Sequence, residues 1–113
     1  MKQVVVTGMG CVTPLGLDAV STWQAVVDGR SGVGPITHFP ADEFPTRFAA
    51  EVKDYSVNDY IDDPDRFAHA SPNILFAIGA ACQAMADSGL GESDFEDVTG
   101  RNFGLQVEVA GDD

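Results

Sequence analysis

Apolar residues recur along this chain with two different periods, and each period marks a different element. Val4-Val5-Val6 form a β-branched run without alternation, which predicts a strand over residues 3–7 buried on both faces. Gly8, Gly10, Pro14 and Gly16 then punctuate a turn. Asp18 stands where an N-cap belongs, and Ala19, Val20, Trp23, Val26 and Val27 follow at helical spacing until Gly29 supplies a stop. That stripe predicts a helix that buries Trp23. Residues 30–45 contain Gly32, Gly34, Pro35, Pro40 and Pro45, a loop composition with a short extended piece expected around Ile36. Residues 48–52 read as a second strand of poor alternation.

Ser56 can cap a single turn running to Tyr60. A longer helix is expected after Ser71, with Pro72 at the first helical position, where its missing amide costs nothing, and Gly89 at the end. Ile74, Leu75, Ile78, Cys82 and Met85 form its apolar stripe, while Ala77, Gly79, Ala80, Ala81 and Ala84 keep the remaining surface small. Small residues admit close neighbours, so this helix is expected to be covered on more than one side. Finally Phe103, Leu105, Val107 and Val109 alternate with Gly104, Gln106 and Glu108, the pattern of a strand over 102–109 with one buried face. The order strand, helix, irregular region, helix, strand implies an α/β fold with a largely parallel sheet, and two or three strands make that sheet incomplete. No repeat or low-complexity segment interrupts it.

Charge and size narrow the function classes. The 113 residues suffice for one domain with one core. A net charge of −12, with only six Lys and Arg, argues against nucleic acid, because phosphate binding needs a basic face. The acids cluster at Asp62-Asp63-Pro64-Asp65, over residues 92–97 and at Asp112-Asp113, and read as a solvated surface. None of the three runs has the alternate oxygen ligands, central glycine and terminal Glu of a calcium loop. Cys11 and Cys82 are too few and too far apart for a disulfide framework or a zinc site, and His38 and His69 are isolated in turn-rich surroundings. No apolar run approaches a membrane span, and Met1-Lys2-Gln3 leads into a strand without a signal-peptide pattern, so the expected location is the cytoplasm.

The opening turn raises one candidate chemistry. A dinucleotide fingerprint needs G-x-G-x-x-G between a strand and a helix, and Gly8 and Gly10 fit its first two positions. Thr13 occupies the third, and Pro14 biases the residue before it away from helix, so no helix start can aim amides at a phosphate there. Asp28 lies where an acid would meet a ribose hydroxyl, but it closes a helix instead of a second strand. A Walker-type G-K-[ST] is absent.

Beyond that turn, a run of ordered motifs resembles the amino-terminal part of the β-ketoacyl-acyl carrier protein synthases, the elongating type II condensing enzymes. The residues that carry the resemblance are Val4-Val5-Val6-Thr7-Gly8-Met9-Gly10, Val12-Thr13-Pro14-Leu15-Gly16, Asp28-Gly29-Arg30-Ser31-Gly32, Gly34-Pro35-Ile36-Thr37 and Phe39. It continues through Phe44-Pro45-Thr46, Glu51-Val52-Lys53-Asp54, Asp59-Tyr60 and Ala86-Asp87-Ser88-Gly89-Leu90. The resemblance implies a partial thiolase-like fold, residues 1–113 being the amino-terminal part of a synthase domain, and a family homodimer. It also implies decarboxylative condensation of an acyl thioester with malonyl-acyl carrier protein, using a cysteine thiolate and two histidines backed by a lysine.

Those catalytic residues lie downstream of the matched region. Cys11 stands in the opening turn and Cys82 inside a helix, neither in a nucleophile motif, and neither His38 nor His69 matches a catalytic histidine. No catalytic, cofactor-binding or metal-binding residue is therefore assigned, and the chain alone is expected to be inactive. Where relatives often carry a basic run ahead of the second helix, this chain has Asp62-Asp63-Pro64-Asp65 with only Arg66 beside it, which disfavours an acidic carrier at that face. Two readings follow: a partial condensing enzyme with exposed apolar faces, or a non-catalytic module that pairs with a full-length synthase.

Overall fold

A computed structural model of the chain describes residues 3–90. In chain order its elements are α1 (Ala19–Val27), β1 (Val33–Pro35), β2 (Phe48–Ala50) and α2 (Pro72–Ser88), with short 3-10 turns at Val57–Asp59 and Pro64–Phe67 between β2 and α2. Both helices start and stop where the sequence expects. Asp18 is extended (φ −149°) and its carboxylate accepts the Ser21 amide at 2.7 Å, satisfying a donor that the first turn cannot. At the other end Gly29 (φ 71°) donates to the Val26 carbonyl while Arg30 donates to that of Ala25, the paired bonds of a Schellman stop. Pro72 opens α2 and Gly89, also left-handed at φ 72°, closes it. Ser56 caps the Val57–Asp59 turn by accepting the Asn58 amide.

The irregular region folds into a hairpin. β1 and β2 pair antiparallel with Val33 opposite Ala50 and Pro35 opposite Phe48, and the Ile36 amide extends the ladder to the Arg47 carbonyl at 2.9 Å. The expected extended piece near Ile36 is thus β1, and the strand expected over 48–52 is real but ends at Ala50. In the connecting loop Phe39 and Phe44 meet edge to face at 5.7 Å, with Ala41 buried beside them.

Three expectations change. Residues 3–7 do not enter a ladder among the described residues, and Val4 and Val6 are 94% and 81% exposed. A strand is defined by its partner, and the other strand expected of the parallel sheet, over 102–109, lies outside the described residues; the sheet that is described is antiparallel. Trp23 is 67% exposed, because α1 turns Ala25 inward while Val20, Trp23 and Val27 share its outer face. The periodicity is right, and the face that it covers is open. Finally, α2 is contacted on two adjoining faces but buries only Gly79. A Cβ on Gly79 would fall 2.5 Å from the Tyr55 hydroxyl oxygen, and Tyr55 also packs edge to face on Phe76 at 5.2 Å and stacks on Tyr60 at 6.1 Å.

Candidate functional site

The opening turn, where Thr13 and Pro14 already argued against a phosphate loop, uses its polar groups on itself. Thr13 and Gly16 exchange backbone hydrogen bonds (2.8 and 3.2 Å) around Pro14, whose fixed φ suits the second position of a β-turn. The Thr13 hydroxyl oxygen accepts the amides of both Leu15 and Gly16 at 3.1 Å and lies 3.0 Å from the Thr22 hydroxyl on α1. The Leu15 and Gly16 amides are therefore already bonded to Thr13 and not free for a phosphate. At the start of α1 the Asp18 carboxylate occupies the anion position, and hydrogen bonds from the Ser21 side chain first and its amide second hold its carboxyl below the usual range.

The glycines have a packing role instead. A Cβ on Gly8 would lie 2.9 Å from Ser88 Cα, and one on Gly10 would lie 2.6 Å from Gln83 Cβ and 2.8 Å from the Ala84 nitrogen. Both positions touch the backbone of α2, where only glycine fits. Asp28, the would-be ribose partner, accepts Gln24 Nε2 at 3.1 Å and pairs with Arg30 at 3.6 Å on the surface.

Among the described residues, neither cysteine is hydrogen-bonded to a base. The half-buried Cys11 thiol donates to Thr22 Oγ1 at 3.4 Å and its amide donates to Gln83 Oε1 at 3.1 Å, while Cys82 is a half-buried position within α2. No histidine lies against either in the hydrogen bonds of the described residues, and His69 is exposed. His38 stands over Glu51, the most heavily bonded acid of the hairpin. Glu51 Oε2 accepts the Thr37 hydroxyl at 2.7 Å, Oε1 accepts the Thr37 amide at 3.0 Å, and His38 Nε2 is 3.9 Å from Oε2. The Thr37 side chain, then its amide, hold the Glu51 carboxyl below its ordinary value, with His38 adding less. Burial pushes the Tyr55 hydroxyl up.

Two open depressions flank this region. One, of about 260 Å³, lies between residues 13–17 and Lys53 and Asp54. The other, of about 560 Å³, lies between Thr37 and His38, residues 52–55, and Pro72, Leu75 and Phe76 at the start of α2. Asp54, on their shared rim, has φ 62°, a left-handed conformation that Asp tolerates better than most side chains. Of the residues that organise the region, Thr22 and Gln83 lie outside every sequence motif, and Glu51 and Asp87 stand inside motifs without a legible role, because a polar residue on a helix or strand looks like surface until its partner is known.

Comparison with known proteins places this geometry. The family model described as "Beta-ketoacyl synthase, N-terminal domain" matches residues 1–112. A 3-oxoacyl-[acyl-carrier-protein] synthase 2 of Synechocystis sp. is 42% identical over 94 residues, covering 79% of this chain and 21% of that protein. The chloroplastic 3-oxoacyl-[acyl-carrier-protein] synthase I of Hordeum vulgare is 40% identical over 91 residues, covering 80% and 19%. Among solved structures, the ishigamide ketosynthase/chain length factor superposes with a TM-score of 0.65 at 31% identity, over 80% of this chain and 22% of that one. The chain spans about a fifth of the length of the curated relatives it matches. The described helices and hairpin are accordingly part of a thiolase-like α/β fold, and the chain belongs to the β-ketoacyl synthase family, within its amino-terminal domain.

Proposed function

We propose that these 113 residues are framework for a decarboxylative condensing enzyme and carry none of its reacting groups. The observation that supports this most is the environment of Cys11: its thiol donates to Thr22 inside a self-bonded turn, and among the described residues no imidazole or other base is bonded to it to draw off the proton. Among the described residues, no base is bonded to Cys82 within α2 either. The reaction proposed for the complete enzyme is attack of a cysteine thiolate elsewhere in the fold on an acyl thioester, followed by condensation with a malonyl unit on a carrier protein. This chain then positions the opening segment, its turn and two helices. Asp62, Asp63 and Asp65 are exposed, so this face repels an acidic carrier and docking is assigned elsewhere.

The test is a condensation assay on the purified 113-residue chain with an acyl thioester and malonyl-acyl carrier protein. No rate above background is expected; a rate that Cys11→Ala or Cys82→Ala abolishes would overturn the reading. A second reading, a non-catalytic module pairing with a full-length synthase, is favoured by the exposed Val20, Trp23 and Val27 face of α1. Co-purification at a defined ratio with such a synthase, lost on Trp23→Lys, distinguishes it.

A further inference from the structure

The opening segment lies antiparallel on α2 in a way that packing alone does not explain. Gly8 is over Ala84 and Ser88, and Gly10 is over Ala80, Gln83 and Ala84, so two residues of chain are matched to four of helix. Two residues of extended chain advance about 6.8 Å and four helical residues about 6 Å, so the two repeats run in step. In an extended chain alternate amides point the same way. Here the Met9 amide donates to Asp87 Oδ2 at 3.0 Å and the Cys11 amide to Gln83 Oε1 at 3.1 Å. Gln83 and Asp87 are four apart on one face of α2, so they present acceptors at the spacing those amides need.

From this we infer that Gln83 and Asp87 form a register lock, a strap that holds the opening segment on α2 in one alignment. Side chains of a helix here do what a neighbouring strand's carbonyls would do in a sheet. Gln83 also closes the far side of the turn: its Nε2 donates to the Leu17 carbonyl at 2.5 Å and to the Tyr60 hydroxyl at 2.8 Å. One side chain thereby joins residues 11, 17 and 60 to α2. The glycines exclude the alternatives. A slip of two residues brings Val6 or Val12 into a position where a Cβ meets the helix backbone, and a slip of one brings Met9 there together with Thr7 or Cys11. Only Gly8 and Gly10, two apart, allow contact and both hydrogen bonds together. The alignment also accounts for the exposed valines: the segment reaches the end of α2 at Gly8 over Ser88, and residues 4–6 overhang it.

The lock is separable from the stability of α2, and the two cysteines report on each side of it. In the full 113-residue chain, amide exchange and thiol labelling are compared for the parent, Gln83→Leu with Asp87→Ala, and Asp87→Asn. In the double variant the Met9 and Cys11 amides should exchange about tenfold faster or more, the size expected when a hydrogen bond that holds a segment is lost. Labelling of Cys11 should accelerate while that of Cys82, inside α2, stays at the parent rate. Asp87→Asn retains an acceptor oxygen and should leave the Met9 amide near the parent value. Unchanged exchange at Met9 and Cys11 in the double variant would overturn the lock. So would equal acceleration at Cys82 and through α2, which would make these residues part of global stability only.

Discussion

Gly10 and Gly34 differ only in what surrounds them, and that difference sets the cost of a methyl group. At Gly10 an added Cβ meets Gln83 Cβ and the Ala84 nitrogen within 3 Å, whereas at Gly34 the nearest atom is Lys53 Nζ at 4.0 Å. Gly10→Ala is expected to destabilise the chain by about 1–3 kcal/mol, the usual penalty of overpacking, and Gly34→Ala to be nearly neutral. Urea unfolding of the two variants checks the contrast. Glu51 gives a pH prediction. Its carboxyl is held below the ordinary value by Thr37, so the bonds it accepts stabilise the hairpin at neutral pH, above its unfolded value. That contribution is lost as pH falls through the depressed folded value. Glu51→Gln should flatten the acid limb of stability against pH; an unchanged limb would show that another carboxylate is responsible.

At the scale of elements, local chemistry was legible in detail. Asp18 with helical spacing after it, Pro72 at the start of α2, and glycine at positions 29 and 89 located both helices almost to the residue, since caps act through neighbours in sequence. Asp18→Ala should lower stability by about 1 kcal/mol, the usual worth of an N-cap, with loss of helical circular dichroism confined to α1. The hairpin was harder to read. Three-residue strands offer little period, and Glu51 and Thr37 meet across fourteen positions of chain. The G-x-G motif was legible as a motif but not as a role, because the same two glycines serve a phosphate or a helix backbone, and only the neighbour decides.

For the whole molecule the decisive quantity is surface. Among the described residues only Ala25 and Ala41 are buried apolar positions. Val20, Trp23 and Val27 line one open face of α1, and a patch of this kind promotes association. Trp23→Lys is expected to shift the chain toward monomer in sedimentation velocity and to leave the circular dichroism of α1 and α2 in place. A parent chain that sediments as a monomer at all concentrations would contradict this.

The amino-acid sequence by itself determined the family, both helices with their ends, and the absence of a nucleophile motif around Cys11 and Cys82. Those properties are carried by residue identity and by neighbours a few positions apart, where spacing alone dictates geometry. The tertiary structure decided what Gly8 and Gly10 are for, that Gln83 and Asp87 hold the opening segment, and that Trp23 faces outward. These depend on pairs of residues far apart in the chain, and the free energy of such a contact exists only once the chain has brought both partners together.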